Sequence, residues 1–153
     1  MVKYFEPDLY NEKGITRKME LKNKNETEIN TMSPLIWAYI GDAVYELYIR
    51  ENLIQQTNLK PHKLHLESIK YVKASEQAKI LREIMEELTE DEKEIVRRTR
   101  NTKNHHIPKN AEIEDYMYAT AYEGLIGYLY LTKQEERLQE IMKKSFLLKK
   151  NML

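Results

Sequence analysis

The chain has 153 residues, of which 41% are hydrophobic and 33% charged, and its net charge is zero, which together indicate one globular domain of ordinary composition. It has no cysteine, which excludes a disulfide scaffold, a thiol nucleophile and a cysteine zinc site. The N-terminal residues lack an apolar signal segment and residues 116–132 are too polar to cross a bilayer, so we expect a cytoplasmic protein without a membrane partner.

Apolar residues recur at helical spacing through nearly the whole chain, and no alternating strand pattern is found. Residues 1–32 are predicted to be a polar N-terminal extension that docks weakly. Ser33 and Pro34 form an N-cap and first helical position. Helices are predicted over residues 34–51, 60–71, 73–88, 89–100, 112–131 and 133–146. The result is a single all-α domain over residues 33–148, followed by a basic tail over 149–153 whose lysines are solvated.

The first long helix is apolar nearly all round and is therefore expected to be central. Over residues 35–50 its charged residues are Asp42, Glu46 and Arg50, which lie four residues apart on one face. Asp42 follows Gly41, and two poor helix formers together indicate a close backbone approach and a functional carboxylate. For Glu46, an ordinary ion pair with Arg50 is an equally good interpretation.

The helix over residues 116–131 has Glu123 as its only charged residue. A carboxylate inside a central helix is costly unless it is paired or binds a metal. Gly124 and Gly127 again predict close approach of another backbone. A pair with a lysine or arginine from another helix is the alternative for Glu123. Two such carboxylates favour a divalent-ion site, because that site needs oxygen ligands from more than one element.

Several motifs occur in an order that resembles a known family. Residues 38–46, AYIGDAVYE, resemble the first signature of ribonuclease III catalytic domains, in the form of the Mini-ribonuclease III branch. Residues 119–131, ATAYEGLIGYLYL, are similar to the second signature. Residues 71–74 with Gln77 and Ala78 match the segment between them, and residues 100–103 with 108–110 match the loop before the last motif. The resemblance covers residues 33–148.

This resemblance implies an all-helical homodimeric endonuclease that cleaves double-stranded RNA with Mg²⁺ and leaves 5′-phosphate ends. By the motif match, Asp42 and Glu123 are the catalytic, metal-binding carboxylates. Glu46 would support these two carboxylates by orienting a water. Thr120 would support them as a hydrogen-bond donor. Ala38 and Thr120 stand where longer family members have a glutamate and an aspartate, which leaves the number of metal ions open. The branch implies precursor 23S ribosomal RNA as the substrate, with ribosomal proteins as further partners.

A local basic segment follows the acidic stretch of residues 83–94. It is predicted to contact RNA through Arg97, Arg98, Arg100, Asn101, Lys103 and Lys109, with Asn104, Asn110, His105 and His106 as further contacts. Neutralisation of the acidic stretch or capping of a helix C-terminus is the alternative, above all for Arg97 and Arg98.

The apolar residues of the first helix also bear on how the chain assembles, and two other functions are considered. The apolar surface of the first helix exceeds what a small monomer buries and predicts a homodimer; it comprises Leu35, Ile36, Trp37, Tyr39, Ile40, Val44, Leu47 and Tyr48. A non-catalytic RNA-binding or ribosome-associated module is disfavoured by the retained Asp42 and Glu123. An unrelated all-α Mg²⁺ phosphohydrolase acting on nucleotides is disfavoured by the basic segment and the ordered motifs.

Overall fold

The computed structural model describes residues 24–103, 109 and 112–151, and all regular structure in these ranges is helical, as predicted. The helices, in chain order, are α1 (Glu26–Asn30), α2 (Pro34–Gln56), α3 (Pro61–Val72), α4 (Ala74–Ile84), a 3₁₀ turn (Met85–Glu87), α5 (Glu90–Asn101), α6 (Ile113–Leu131) and α7 (Glu135–Asn151). Within the described ranges, none of these helices has the length and apolar composition needed to span a bilayer.

Local capping signals explain where the helices begin. Thr89 accepts a hydrogen bond from the backbone N–H of Glu92, and the Glu92 carboxylate accepts one from the backbone N–H of Thr89, so the predicted capping box is present. Pro34 occupies the first turn of α2 as predicted. The hydroxyl of Ser33 makes no capping hydrogen bond, so Ser33 is the N-cap by position only.

Helices α2 and α6 cross at the centre of the domain in direct backbone contact. A Cβ atom added to Gly41 would overlap the carbonyl oxygen of Glu123, and one added to Gly127 would overlap that of Trp37. The close backbone approach predicted at these two glycines is therefore confirmed. For Gly124 it is wrong, because the nearest neighbour there is the side chain of Thr99. The crossing holds Glu123 beside the residue that precedes Asp42.

The main core lies between α2, α6, α4 and α7; its fully buried members include Tyr45, Ile49, Leu81, Tyr122, Ile126 and Leu129. A smaller cluster joins Ile29 of α1 to Trp37 and Ile95. The indole N–H of Trp37 donates a hydrogen bond to the carbonyl of Ile29 over 2.9 Å. Weak docking is therefore the wrong interpretation for α1, because burial of Ile29 ties it to the core; residues 1–23 lie outside the described residues.

Helix α7 extends to Asn151, beyond its predicted end at residue 146. Lys149 is only 8% exposed, and its Nζ lies 3.0 Å from a carboxylate oxygen of Glu76 in α4. The interpretation of Lys149 as a solvated tail residue is therefore wrong. Its pairing with Glu76 offsets the cost of burying both charges and fastens α7 to α4.

Candidate active site

An open cavity of about 620 Å³ lies beside the crossing of α2 and α6. The four acidic and hydroxyl side chains predicted for the site all line it: Asp42, Glu46, Thr120 and Glu123. Ala74, at the start of α4, closes one wall, and Ala38 lines the cavity one turn before Asp42. The structure thus brings Asp42 and Glu123, which are 81 positions apart in the sequence, into one cavity.

Glu123 lies in an environment that disfavours its negative charge. Its pKa is raised to about 8, first by burial and then by the nearby charge of Asp42, while the side chain of Gln77 acts in the opposite direction. The pKa of Asp42 is also raised, first by burial and then by the charge of Glu46. Two acids whose pKa values are raised by each other or by a neighbouring acid indicate a functional site.

Neither carboxylate is compensated by a basic side chain of the described residues, and no lysine or arginine contributes to the pKa of Asp42 or Glu123. The ion pair considered for Glu123 is therefore absent from this part of the chain. A bound cation would relieve both the burial cost and the mutual repulsion.

The donor set fits a hard divalent ion that keeps part of its water shell. Among the described residues there is no cluster of three or more acidic, histidine or cysteine side chains arranged for a metal, so the site offers chiefly the two carboxylates. Mg²⁺ is commonly held by one or two carboxylates, with waters and substrate phosphate filling the other positions. Asp42 and Glu123 are the residues that could hold such an ion.

The two supporting residues are engaged elsewhere as well. Glu46 accepts a hydrogen bond of 2.6 Å from Arg50, which is the ion pair that the sequence left as an alternative, and it still lines the cavity. The hydroxyl of Thr120 donates its hydrogen to the carbonyl of Tyr116 over 2.9 Å. Because a hydroxyl has one hydrogen, Thr120 presents an acceptor oxygen to the cavity in this arrangement, and its role as a donor stays a prediction.

Gln77 lies behind the cavity wall, near Glu123, and sequence reasoning did not select it. It lies on α4 one turn after Ala74, is 1% exposed and acts on the pKa of Glu123. The available signal was a polar residue inside the segment that resembles the family, at helical spacing from a residue of the cavity wall. That signal is weak, because such residues lie at the surface of most helices.

The basic segment divides into engaged and free side chains. Arg97 forms a surface pair with Glu94, and Arg98 donates to the carbonyl of Asn30 and lies over the ring of Trp37 at 4.8 Å. These two arginines therefore fit the alternative to RNA binding, which is neutralisation of the acidic stretch for Arg97 and capping of a helix C-terminus for Arg98. Arg100 donates to the hydroxyl of Tyr118 over 3.3 Å. Asn101, Lys103 and Lys109 are exposed, whereas Asn104, His105, His106 and Asn110 lie outside the described residues.

Comparison with known proteins gives a consistent result. The sequence pattern of the family described as Ribonuclease III domain matches residues 35–134. Mini-ribonuclease 3 of Thermoanaerobacter sp. (strain X514) is 46% identical over 132 residues, covering 86% of this chain and 92% of that protein. Mini-ribonuclease 3 of Staphylococcus aureus is 40% identical over 126 residues, covering 81% and 94%. A crystal structure of a Fusobacterium nucleatum protein matches with a TM-score of 0.71 and 32% identity, covering 82% of this chain and 98% of that one.

The all-helical fold, the two facing carboxylates and these matches define a nuclease of the ribonuclease III class, which acts on double-stranded RNA, generally requires a divalent metal and is typically dimeric. This chain belongs to the Mini-ribonuclease III branch of the ribonuclease III family and is an endoribonuclease. The resemblance of its motifs to that branch is thereby confirmed.

Proposed function

We propose that this endoribonuclease is Mg²⁺-dependent and uses Asp42 and Glu123 to hold the metal while it hydrolyses double-stranded RNA to 5′-phosphate and 3′-hydroxyl ends. The observation that carries the proposal is the pair of carboxylates in one cavity, both with raised pKa and neither with a described basic partner. Such an arrangement is costly in a resting protein and becomes favourable once a cation is bound.

Each residue has a role that follows from its position. Mg²⁺ held by these residues would supply an activated water and would neutralise negative charge on the phosphate. Glu123, more deeply buried, would hold the metal through its ionised carboxylate, and its raised pKa implies that a proton would be released when the metal binds. Asp42 is the more exposed acid, so it would hold the ion from the solvent side of the cavity. Glu46 and Thr120 present acceptor oxygens that can orient a water in the same cavity.

For the substrate we propose the double-stranded stem of precursor 23S ribosomal RNA, processed in the cytoplasm with ribosomal proteins as further partners. The support is the similarity to the Mini-ribonuclease III branch. Cleavage of that stem in preference to an unrelated duplex of equal length would favour this substrate, and equal cleavage of both would contradict it.

Incubation of a structured RNA with Mg²⁺, and then with an excess of EDTA, tests the proposed activity on a single gel. We expect discrete fragments with Mg²⁺ and none with EDTA. Binding of the duplex without fragments at any Mg²⁺ concentration would contradict the proposal and would favour the non-catalytic RNA-binding alternative.

The outer face of α2 supports the proposal that this chain forms a homodimer. Tyr39 is 83% exposed, and Ile36 and Leu47 on the same face are about half exposed. Contiguous exposed apolar residues of this kind mark a surface that another protein covers. Tyr39 also lines the cavity, so a partner seated on this face would lie next to the site.

Substitution Tyr39→Asp is expected to convert a dimer at micromolar concentration into a monomer, because it places a charge at the centre of the apolar face. Sedimentation equilibrium measures this directly. Leu147→Asp is the matched control, since Leu147 is a partly exposed apolar residue of α7, and it should leave the mass unchanged. A parental protein that sediments as a monomer would contradict the dimer.

Removal of the three cations of the basic segment that form no ion pair with a described residue is expected to weaken RNA binding. The triple substitution Arg100→Ala, Lys103→Ala and Lys109→Ala should lower duplex affinity about 10-fold or more at low salt and reduce the salt slope by about 1 per lost phosphate contact. Arg97→Ala is the control, because Arg97 is already paired with Glu94. Unchanged affinity and slope in the triple variant would exclude this segment from RNA binding.

A further inference from the structure

Gln77 is unusual among the buried polar residues of the domain. It is 1% exposed, and neither its amide nitrogen nor its amide oxygen has a hydrogen-bond partner among the residues that the structure describes. A buried amide without partners destabilises the folded state, so its presence requires an explanation.

Apart from one tyrosine hydroxyl, the other buried polar side chains in the described part of the chain all have partners. Ser68, Thr99 and Ser145 donate to backbone carbonyls within their own helices. The buried acids Glu76 and Glu92 pair with Lys149 and Arg137. The other unpaired buried group is the hydroxyl of Tyr45, which belongs to a core tyrosine that does not line the cavity. No structural bond accounts for Gln77.

The position of Gln77 connects it to the candidate active site. It follows Ala74 by three residues on α4, so both lie on one helix face, and Ala74 forms part of the cavity wall. Helix α4 packs along α6, which carries Glu123. Across this packing the amide of Gln77 comes near the Glu123 carboxyl, without a hydrogen bond between them in the resting structure. Its neighbour Glu76 points to α7 instead, where it pairs with Lys149.

We propose that Gln77 is a positioning residue for Glu123: its amide N–H donates a hydrogen bond to the ionised carboxylate and holds it in the orientation that binds the divalent ion. This rests on the proposed function. Carboxylates that bind a metal are in turn held by hydrogen bonds from residues behind them, and loss of such a partner typically weakens metal binding about 10–100-fold. On this proposal, the unpaired amide of Gln77 lowers the stability of the metal-free protein and is retained because it orients Glu123 for metal binding.

Substitution Gln77→Met tests the proposal, because methionine keeps the length of the side chain and removes the amide. Melting temperatures are measured in EDTA and then over a series of Mg²⁺ concentrations, which gives the dissociation constant of Mg²⁺ without any cleavage assay. We expect Gln77→Met to melt at or above the parental temperature in EDTA and to bind Mg²⁺ about 10-fold more weakly. The Mg²⁺ concentration for half-maximal cleavage should rise by the same factor, with the KM for RNA unchanged.

Ser145→Ala is the matched control, since Ser145 is equally buried and polar but lies on α7 and does not line the cavity. It should melt at a lower temperature and bind Mg²⁺ as the parental protein does. Should Gln77→Met fail to fold, Gln77→Leu carries the same expectation.

Parental Mg²⁺ affinity in a folded Gln77 variant would overturn the proposal for Gln77 and leave the proposed function intact. A parental protein that neither binds Mg²⁺ nor cleaves RNA would overturn both. The two failures are therefore distinguishable in one experiment.

Discussion

Substitution Glu123→Gln is expected to lower the rate of RNA cleavage by about 10³-fold or more and, at the same time, to stabilise the protein in the absence of metal. The rate falls because the neutral amide removes one of the two carboxylates available to hold the ion, and each factor of ten corresponds to about 1.4 kcal/mol of transition-state stabilisation. Asp42→Asn is expected to lower the rate to a similar extent.

The stability change follows from the raised pKa of Glu123. The ordinary pKa of this carboxyl is 4.5, and in the folded protein it is about 8, so between these values the folded state binds more protons than the unfolded state. The free energy of unfolding therefore falls as pH rises from about 4.5 to 8, and the glutamine variant escapes this loss. At pH 8 the gain should be about 1–3 kcal/mol, and below about pH 4.5 it should vanish.

Urea unfolding in EDTA at pH 4 and pH 8, together with a cleavage assay, checks both parts. Glu46→Gln is the control, because Glu46 is paired with Arg50 near the surface, and an exposed pair of this kind changes stability by about 1 kcal/mol or less. A Glu123→Gln variant that cuts at near the parental rate, or that is less stable than the parent at pH 8, would contradict the role given to Glu123.

Substitution Gly41→Ala is expected to be among the most destabilising single changes in this protein. An added Cβ would overlap the carbonyl oxygen of Glu123, which belongs to the backbone of α6 and cannot rotate away, so the two central helices would have to separate. We expect a loss of about 3 kcal/mol or more, or failure to fold, since overpacking of a core typically costs about 1–3 kcal/mol even where side chains can adjust.

The sign of this effect is diagnostic, because alanine is a better helix former than glycine by about 1 kcal/mol and would stabilise an open position. Gly124→Ala is the comparison, since its neighbour is the side chain of Thr99, and Thr99→Ala should restore part of the loss. Urea unfolding midpoints measure all three variants. A Gly41→Ala protein as stable as the parent would show that α2 and α6 are not in backbone contact at this position.

The features that sequence reasoning predicts correctly depend on local or strongly unusual signals. Thr89 and Glu92 satisfy each other within one turn, so their capping box is visible without tertiary structure. Glu123 is conspicuous as a lone charge in an apolar helix, and Gly41 before Asp42 interrupts a strong helix pattern. These signals locate both carboxylates and the crossing of the helices that carry them.

The features that it misses depend on which surfaces meet in the fold. Lys149 resembles an exposed terminal lysine until α7 packs on α4 and Glu76 becomes its partner. Ile29 is the single buried residue of α1, which is short and polar. Its contact with Trp37 and Ile95, which holds α1 to the core, is visible only in the folded structure. Gln77 stands out only because its amide is buried, unpaired and close to Glu123. The spacing of residues along α4 does not reveal this.

Calorimetric titration of Mg²⁺ into the parental protein, Asp42→Asn and Glu123→Gln at pH 8 tests most directly whether the two carboxylates form one divalent-ion site. The predicted result is saturable binding to the parental protein that both substitutions abolish, with all three proteins folded. Binding of Mg²⁺ to either variant with the parental affinity and stoichiometry would contradict it and would place the metal elsewhere.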